Sequence, residues 1–187
     1  MKDDICARLI RGATELGAYR AAVVKVSDIE TDASFRALCE SNACGNYGRN
    51  WMCPPDAGDI HELMDRLKSF PYALVYQTVS PLEDSYDFEG MMDAAERHNQ
   101  LIQALWDYTD ELQLEGILHL GAGGCHLCSV CGKKTGTPCP HPDRAIVSLE
   151  THGINVSLLA QQAGMRYING QNTVTYFGAA FIGTASA

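Results

Sequence analysis

The sequence of 187 residues lacks a basic surplus and lacks any long apolar run. Its 14 Lys and Arg residues face 23 Asp and Glu residues, and the formal net charge of -9 argues against nucleic acid as a partner, since phosphates need cationic side chains. No apolar run is long enough to cross a bilayer, and the N-terminal MKDDICARLIRGATELG is too acidic for a signal peptide. We therefore expect a cytoplasmic protein that binds neither nucleic acid nor membrane.

Signatures of several enzyme classes are also missing. The sequence has no evident Ser-His-Asp set, no HExxH zinc-binding helix and no lysine at P-loop spacing after its GAGG stretch. The CxxxCxxC triplet of radical-SAM enzymes is absent as well. No internal repeat, linker or low-complexity stretch interrupts the chain, which predicts a single domain over residues 1–187. We assign no reaction from the sequence, so whether the protein is an enzyme stays open.

Cysteine is what the sequence does have, with eight residues in all. Four of them lie in CHLCSVCGKKTGTPCP, where Cys125, Cys128 and Cys131 follow one another at x2 spacing and Cys139 precedes Pro140. Bacterial ferredoxins bind a 4Fe–4S cluster with the same start and the same Cys-Pro end, although their last spacer is x3 and this one is x7. The spacing predicts a 4Fe–4S cluster on this quartet.

A second cysteine group lies in CESNACGNYGRNWMCPP, where Cys39, Cys44 and Cys53 have x4 and x8 spacing among glycines and prolines. In the simplest interpretation this trio holds a second cluster that has an open iron. An exchange of the two Cys-Pro residues, so that Cys53 completes the quartet site and Cys139 completes the other, is also open. Cys6 is predicted to be a buried apolar thiol. The candidate metal and cofactor ligands are Cys39, Cys44, Cys53, Cys125, Cys128, Cys131 and Cys139.

Zinc is the main alternative to iron. Structural zinc sites commonly pair two C-x2-C knuckles across a longer spacer, and the quartet has no second knuckle. A tetrahedral zinc ion could still take all four quartet thiols. His126 and His141 are the nearest ligands without sulfur, but histidine is less usual in such clusters. The pattern therefore favours one or two 4Fe–4S clusters over zinc.

The periodicity of apolar residues predicts an α/β or α+β fold, with a mixed sheet of about five strands, flanking helices and cysteine-rich loops. The longest periodic segment predicts a helix over residues 88–114, with His98 as a hydrogen-bonded core histidine. A shorter helix is predicted over residues 144–151. Strands are predicted over residues 165–168 and 174–182, joined by a hairpin turn.

Several stretches together resemble one family, the cysteine-rich proteins of bacteria and archaea described as predicted metal-binding proteins, which share a domain of unknown function. The similarity covers roughly residues 39–178, and it implies a metal site on the seven candidate cysteines without implying a reaction. It also implies that the DFEG and INGQNTVTYFG segments serve for more than a helix cap and a turn. The matching stretches are CGNYGRNWMCPP, DSYDFEGMM, GAGGCHLC with PCPHPDRA, SLETHGINV and YINGQNTVTYFG.

Three hypotheses about function follow. In the first, the protein carries electrons to a redox enzyme partner, and its acidic surface steers docking onto a basic one. In the second, it is an enzyme whose trio leaves one iron free for a small-molecule substrate, which Tyr47, Arg49 and Trp51 help to position. In the third, zinc stabilises the fold of an interaction module.

Overall fold

The structure, a computed structural model, describes residues 2–114 and 116–183. In this part of the chain it has five strands and five α-helices, which is the α+β class that the sequence predicts. The helices are α1 (Lys2–Glu15), α2 (Phe35–Glu40), α3 (Ile60–Leu67), α4 (Phe88–Glu111) and α5 (Val156–Gln162). The strands are β1 (Arg20–Lys25), β2 (Tyr72–Pro81), β3 (Leu118–Gly121), β4 (Val147–Ser148) and β5 (Thr173–Ile182).

The strands form one sheet in the order β1-β2-β5-β3-β4. Only β3 and β4 run parallel, and the other neighbours are antiparallel, so the sheet is mixed as predicted. The long strands β2 and β5 pair along their whole length, from Tyr72 opposite Ile182 to Pro81 opposite Thr173. Because side chains alternate along a strand, β5 sends Phe177 and Phe181 to one face of the sheet and Ala180 to the other.

Each face of the sheet has its own apolar core. On one face α1 and α4 pack through Leu9, Ile102 and Leu105. On the other face α5 packs through Leu159, together with the short segment that follows β4. The prediction for His98 is confirmed: it is 1% exposed, and its Nδ1 lies 2.9 Å from the Thr78 hydroxyl.

Two predictions of local structure are wrong. Residues 144–151 form no helix, because Val147 pairs with Leu120 of β3 and the Leu149 amide donates to the Gly121 carbonyl at 2.9 Å. A single 3-10 turn, Glu150–His152, follows instead. Residues 165–168 form no strand and no hairpin, since β5 finds its partners in β2 and β3. In both places long-range pairing overrides the local pattern.

Cys39 lies on α2, and two loops carry the other candidate cysteines. The segment after α2, residues 41–59, is called the trio loop, and the segment after β3, residues 122–146, is called the quartet loop. Asp59 ends the trio loop and caps α3, accepting hydrogen bonds from the amides of His61 and Glu62. Among the described helices, none has both the length and the apolar character that a bilayer crossing requires.

Candidate metal centre

The four quartet thiols line one small cavity. Cys125, Cys128, Cys131 and Cys139 line a space of about 20 Å³. Trp51 of the trio loop closes one side of it. Four thiols from one loop therefore line the same cavity.

The trio thiols line a second and larger cavity. Cys39, Cys44 and Cys53 border a space of about 310 Å³. Its remaining walls come from both loops, from α2 and from the segment after β4. The apolar part of the wall is Phe35, Leu38, Ala43 and Pro54, and the polar part is Asn46, Tyr47, Ser148, Glu150 and Thr151. This cavity has room for a ligand besides the thiols.

The cysteines divide between the two cavities by chain segment. Cys139 lines the quartet cavity and Cys53 lines the trio cavity, which is the grouping of thiols in the simplest sequence interpretation. His141 lines the quartet cavity, whereas His126 is not part of that lining. Cys6 lies on α1, is half-buried, and takes no part in either cavity.

The two cavities are neighbours because the loops are bonded to each other. The Asn50 side chain donates to the Cys125 carbonyl at 3.0 Å, and the Trp51 indole donates to the Thr137 carbonyl at 3.0 Å. The Lys133 ammonium lies 2.6 Å from an Asp56 carboxylate oxygen. These contacts join residues that are 75, 86 and 77 positions apart in the chain.

The two loops approach each other closely at Gly124. A Cβ atom there would lie 3.1 Å from the side-chain amide nitrogen of Asn46 and 3.2 Å from that of Asn50, which is tighter than ordinary van der Waals contact. Gly123 and Gly124 also line the trio cavity, so bare backbone faces it. Gly123 and Gly124 therefore lie where the trio loop and the quartet loop contact each other.

Burial and the neighbouring thiols raise the pKa of three of these cysteines, Cys39, Cys53 and Cys128. Burial raises the pKa of Cys53 to about 12, and the neighbouring thiols of Cys44, Cys39, Cys125 and Cys131 add to this rise. Cys53 therefore interacts electrostatically with members of both groups.

The other raised thiols follow the same pattern. The pKa of Cys128 is raised by burial and then by the thiols of Cys125, Cys139 and Cys131. Burial also raises the pKa of Cys39, while the Arg36 guanidinium opposes that rise.

The chemistry of these donor sets fits a metal centre. A cation replaces the protons of clustered thiols and removes their repulsion. Within residues 2–114 and 116–183, no group of three or more His, Cys, Asp or Glu side chains is close enough to hold one metal ion. The cysteine sulfurs that bind a single zinc ion lie about 3.8 Å apart. In a 4Fe–4S cluster each cysteine binds a different iron, so the cysteine sulfurs lie further apart.

Some residues of the site were not predicted from the sequence. Asn50 and Glu150 lie in stretches that carry the family resemblance, GRNWMCPP and SLETHGINV, which is the signal that marks them. Glu150 lines the trio cavity, and burial raises the pKa of its carboxyl group. Of the residues predicted to position a substrate, Tyr47 lines the trio cavity, Trp51 lines the quartet cavity, and Arg49 is exposed outside both.

Comparison with curated proteins gave no match, and comparison with solved structures gave none either. A family model described as predicted metal-binding protein, DUF2284, matches residues 22–182. This range includes all seven candidate cysteines and leaves out Cys6. The cysteine-lined cavities and this match agree with the resemblance found in the sequence, and the chain belongs to the DUF2284 family of predicted metal-binding proteins.

Proposed function

We propose that the protein is an iron–sulfur electron carrier in which the quartet holds one 4Fe–4S cluster and the trio holds a second. The observation that carries the proposal is the arrangement of the seven cysteines around two adjoining cavities. Cys53 interacts with thiols of both groups, so two bound clusters would be close neighbours. When bound, a 4Fe–4S cluster takes and gives single electrons at a potential set by its charge, hydrogen bonds and exposure.

The chain's own residues would set how the clusters are held. The Trp51 ring covers the quartet cavity, and the Lys133 ammonium lies 4.3 Å from the centre of that ring, so this side is shielded from water. The quartet loop is fastened to the trio loop by side-chain bonds, which limits movement on electron transfer. The net charge of -9 favours a basic redox partner, since opposite charges speed encounter.

Anaerobic purification tests the proposal. The wild-type protein should contain about eight irons and as many acid-labile sulfides, and a one-electron reductant should bleach its colour reversibly. Cys128→Ser and Cys44→Ser should each lose about four irons from a different cluster. Cys6→Ser is the matched control, because it removes the one cysteine outside both cavities and should keep all the iron. A colourless protein with stoichiometric zinc would overturn the proposal.

A second candidate function rests on the size of the trio cavity. The trio cavity has a volume of about 310 Å³, whereas the quartet cavity has about 20 Å³. The trio cavity therefore has room for a small-molecule substrate beside an iron that lacks a fourth thiolate. Cyanide or a small thiolate added to the intact protein should then change the absorption and EPR spectra of the trio cluster alone. Unchanged spectra at saturating concentrations would count against this enzyme hypothesis.

A further inference from the structure

We propose that the Glu150 carboxylate is the fourth ligand of the trio metal centre, an inference that rests on the proposed function. The trio supplies three thiolates, and a cluster with four irons needs one more protein or external donor. Glu150 is the acidic side chain in the lining of the trio cavity. Carboxylate oxygen is an established donor to iron in proteins, as in the 2-His-1-carboxylate sites.

The position of Glu150 brings its charge to the trio. Its carboxylate lies near enough to Cys39 to interact electrostatically with that thiol. The next residue, Thr151, contacts Cys39 through its hydroxyl. Two consecutive residues of the Glu150–His152 turn thus face Cys39, the first cysteine of the trio, although residues 39 and 150 are 111 positions apart in the chain.

The fold holds this turn firmly. The Ser148 hydroxyl lies 3.0 Å from the Thr151 hydroxyl and accepts a hydrogen bond of 3.1 Å from the Thr151 amide. The Gly153 amide donates to the Glu150 carbonyl at 2.9 Å, and the Gly153 carbonyl accepts from the Asp32 amide at 2.7 Å. The turn is therefore tied to the segment that leads into α2, which carries Cys39. A rigid turn on one side of a cavity is suited to present a ligand.

An ordinary solvated role explains Glu150 less well. A surface carboxylate would point to water, as Glu40 does one residue after Cys39. Glu150 is half-buried and shares its cavity with Phe35 and Leu38. The Ser148 hydroxyl and the Glu150 amide interact with its carboxylate, but both groups are neutral, and a bound cation would compensate the charge that burial makes unfavourable.

A carboxylate ligand has a distinct chemical consequence. Oxygen is a harder donor than thiolate and binds iron of a cluster less tightly, so the iron that Glu150 holds would be the most exchangeable one. An incoming small ligand can displace a carboxylate more readily than a thiolate. The same residue would thus close the trio site at rest and open it to a substrate.

Glu150→Gln tests the inference, because the amide keeps the shape of the side chain and loses the charge of the ligand. On mild oxidation with ferricyanide the variant should lose about one iron and show the EPR signal of a three-iron cluster. The wild-type protein should keep its full iron count under the same treatment. The quartet iron, which should stay in place, serves as the internal control for folding.

Glu40→Gln is the matched control variant, since it makes the same change in charge at an exposed position on α2. It should retain the wild-type iron count, EPR spectrum and midpoint potential. Equal behaviour of both variants, or an unchanged Glu150→Gln, would overturn the role of Glu150 while leaving the clusters established.

Failure of the proposed function would look different, because the wild-type protein itself would then contain no iron and sulfide. If it contained zinc instead, loss of zinc from Glu150→Gln but not from Glu40→Gln would still support the ligand. Equal zinc in the two variants would overturn it.

Discussion

The side-chain amide of Asn50 donates a hydrogen bond of 3.0 Å to the backbone carbonyl of Cys125, 75 residues further along the chain. Asn50 is 4% exposed, and its side-chain oxygen Oδ1 accepts a hydrogen bond of 3.0 Å from the Met52 backbone amide. One buried side chain therefore fixes the turn before Cys53 and at the same time holds the first quartet cysteine. It is the most direct link between the two cysteine groups.

Asn50→Ala should destabilise the protein by about 1–3 kcal/mol, because the partly buried Cys125 carbonyl and Met52 amide both lose their partner. Iron should also pass faster to a chelator, since the loops can then separate. Urea unfolding and chelator kinetics would measure the two effects. Asn99→Ala, on α4, is the control. Equal chelation rates for the two variants would contradict this role.

The ion pair between Lys133 and Asp56 should be stronger than an exposed pair. Its side chains are 26% and 18% exposed, whereas those of the Lys68–Asp65 pair are 73% and 69% exposed at the same 2.6 Å separation. Lower exposure means a lower effective dielectric, and we expect a coupling of about 1–2 kcal/mol against about 0.2–1 kcal/mol. Double-mutant cycles on both pairs provide the measurement, and equal couplings would contradict the greater strength of the Lys133–Asp56 pair.

Local patterns predicted the parts of the fold that local physics decides. Helix α4 follows from its apolar period, and Asn155 caps α5 by accepting from the Leu158 amide at the position where asparagine is favoured. The four cysteines that line the quartet cavity come from one loop. Residues 144–151 have a local helical pattern, but pairing with β3 makes Val147 and Ser148 extended.

The meeting of the two loops could not be read from spacing. No periodicity relates Asn50 to Cys125, or Glu150 to Cys39, since the sheet and the order of its strands bring them together. Residue type identifies the cysteines as possible metal ligands. Their polar neighbours are indicated only where a stretch carries the family resemblance, as GRNWMCPP and SLETHGINV do.

Gly132→Ala should disrupt the quartet site alone. A Cβ atom at this position would lie 2.7 Å from the Thr137 carbonyl oxygen and 2.8 Å from that of Pro138, so the backbone between Cys131 and Cys139 must shift. We expect loss of about four irons with the trio cluster retained. Gly136→Ala is the control: its φ of 71° strains the backbone by about 1 kcal/mol, but apart from the adjoining residues no atom in the described part of the chain lies within 4 Å of the added Cβ. Full iron in Gly132→Ala would contradict the prediction.

His98 should make the protein less stable in mild acid. Burial lowers the pKa of its imidazole from 6.5 to about 4, so the folded protein keeps it neutral while the unfolded chain protonates it. The unfolded state binds more protons between pH 6.5 and pH 4, and the stabilisation that is complete above pH 6.5 is lost as the pH falls through this window.

From pH 7.5 to pH 5 this contribution amounts to about 2 kcal/mol of unfolding free energy. The asparagine of His98→Asn does not titrate and can keep a bond to the Thr78 hydroxyl, so the unfolding free energy of this variant should fall by about 2 kcal/mol less than that of wild type over this pH range.

Because clusters are themselves sensitive to acid, the measured quantity is the difference in unfolding free energy between variant and wild type at each pH, from urea unfolding under anaerobic conditions. His61→Asn, at an exposed position on α3, should follow the wild-type curve. If the unfolding free energy of His98→Asn changed with pH in parallel with wild type, the imidazole would be protonated equally in the folded and unfolded states. The burial of His98 between the rings of Tyr76 and Tyr176 argues against that result.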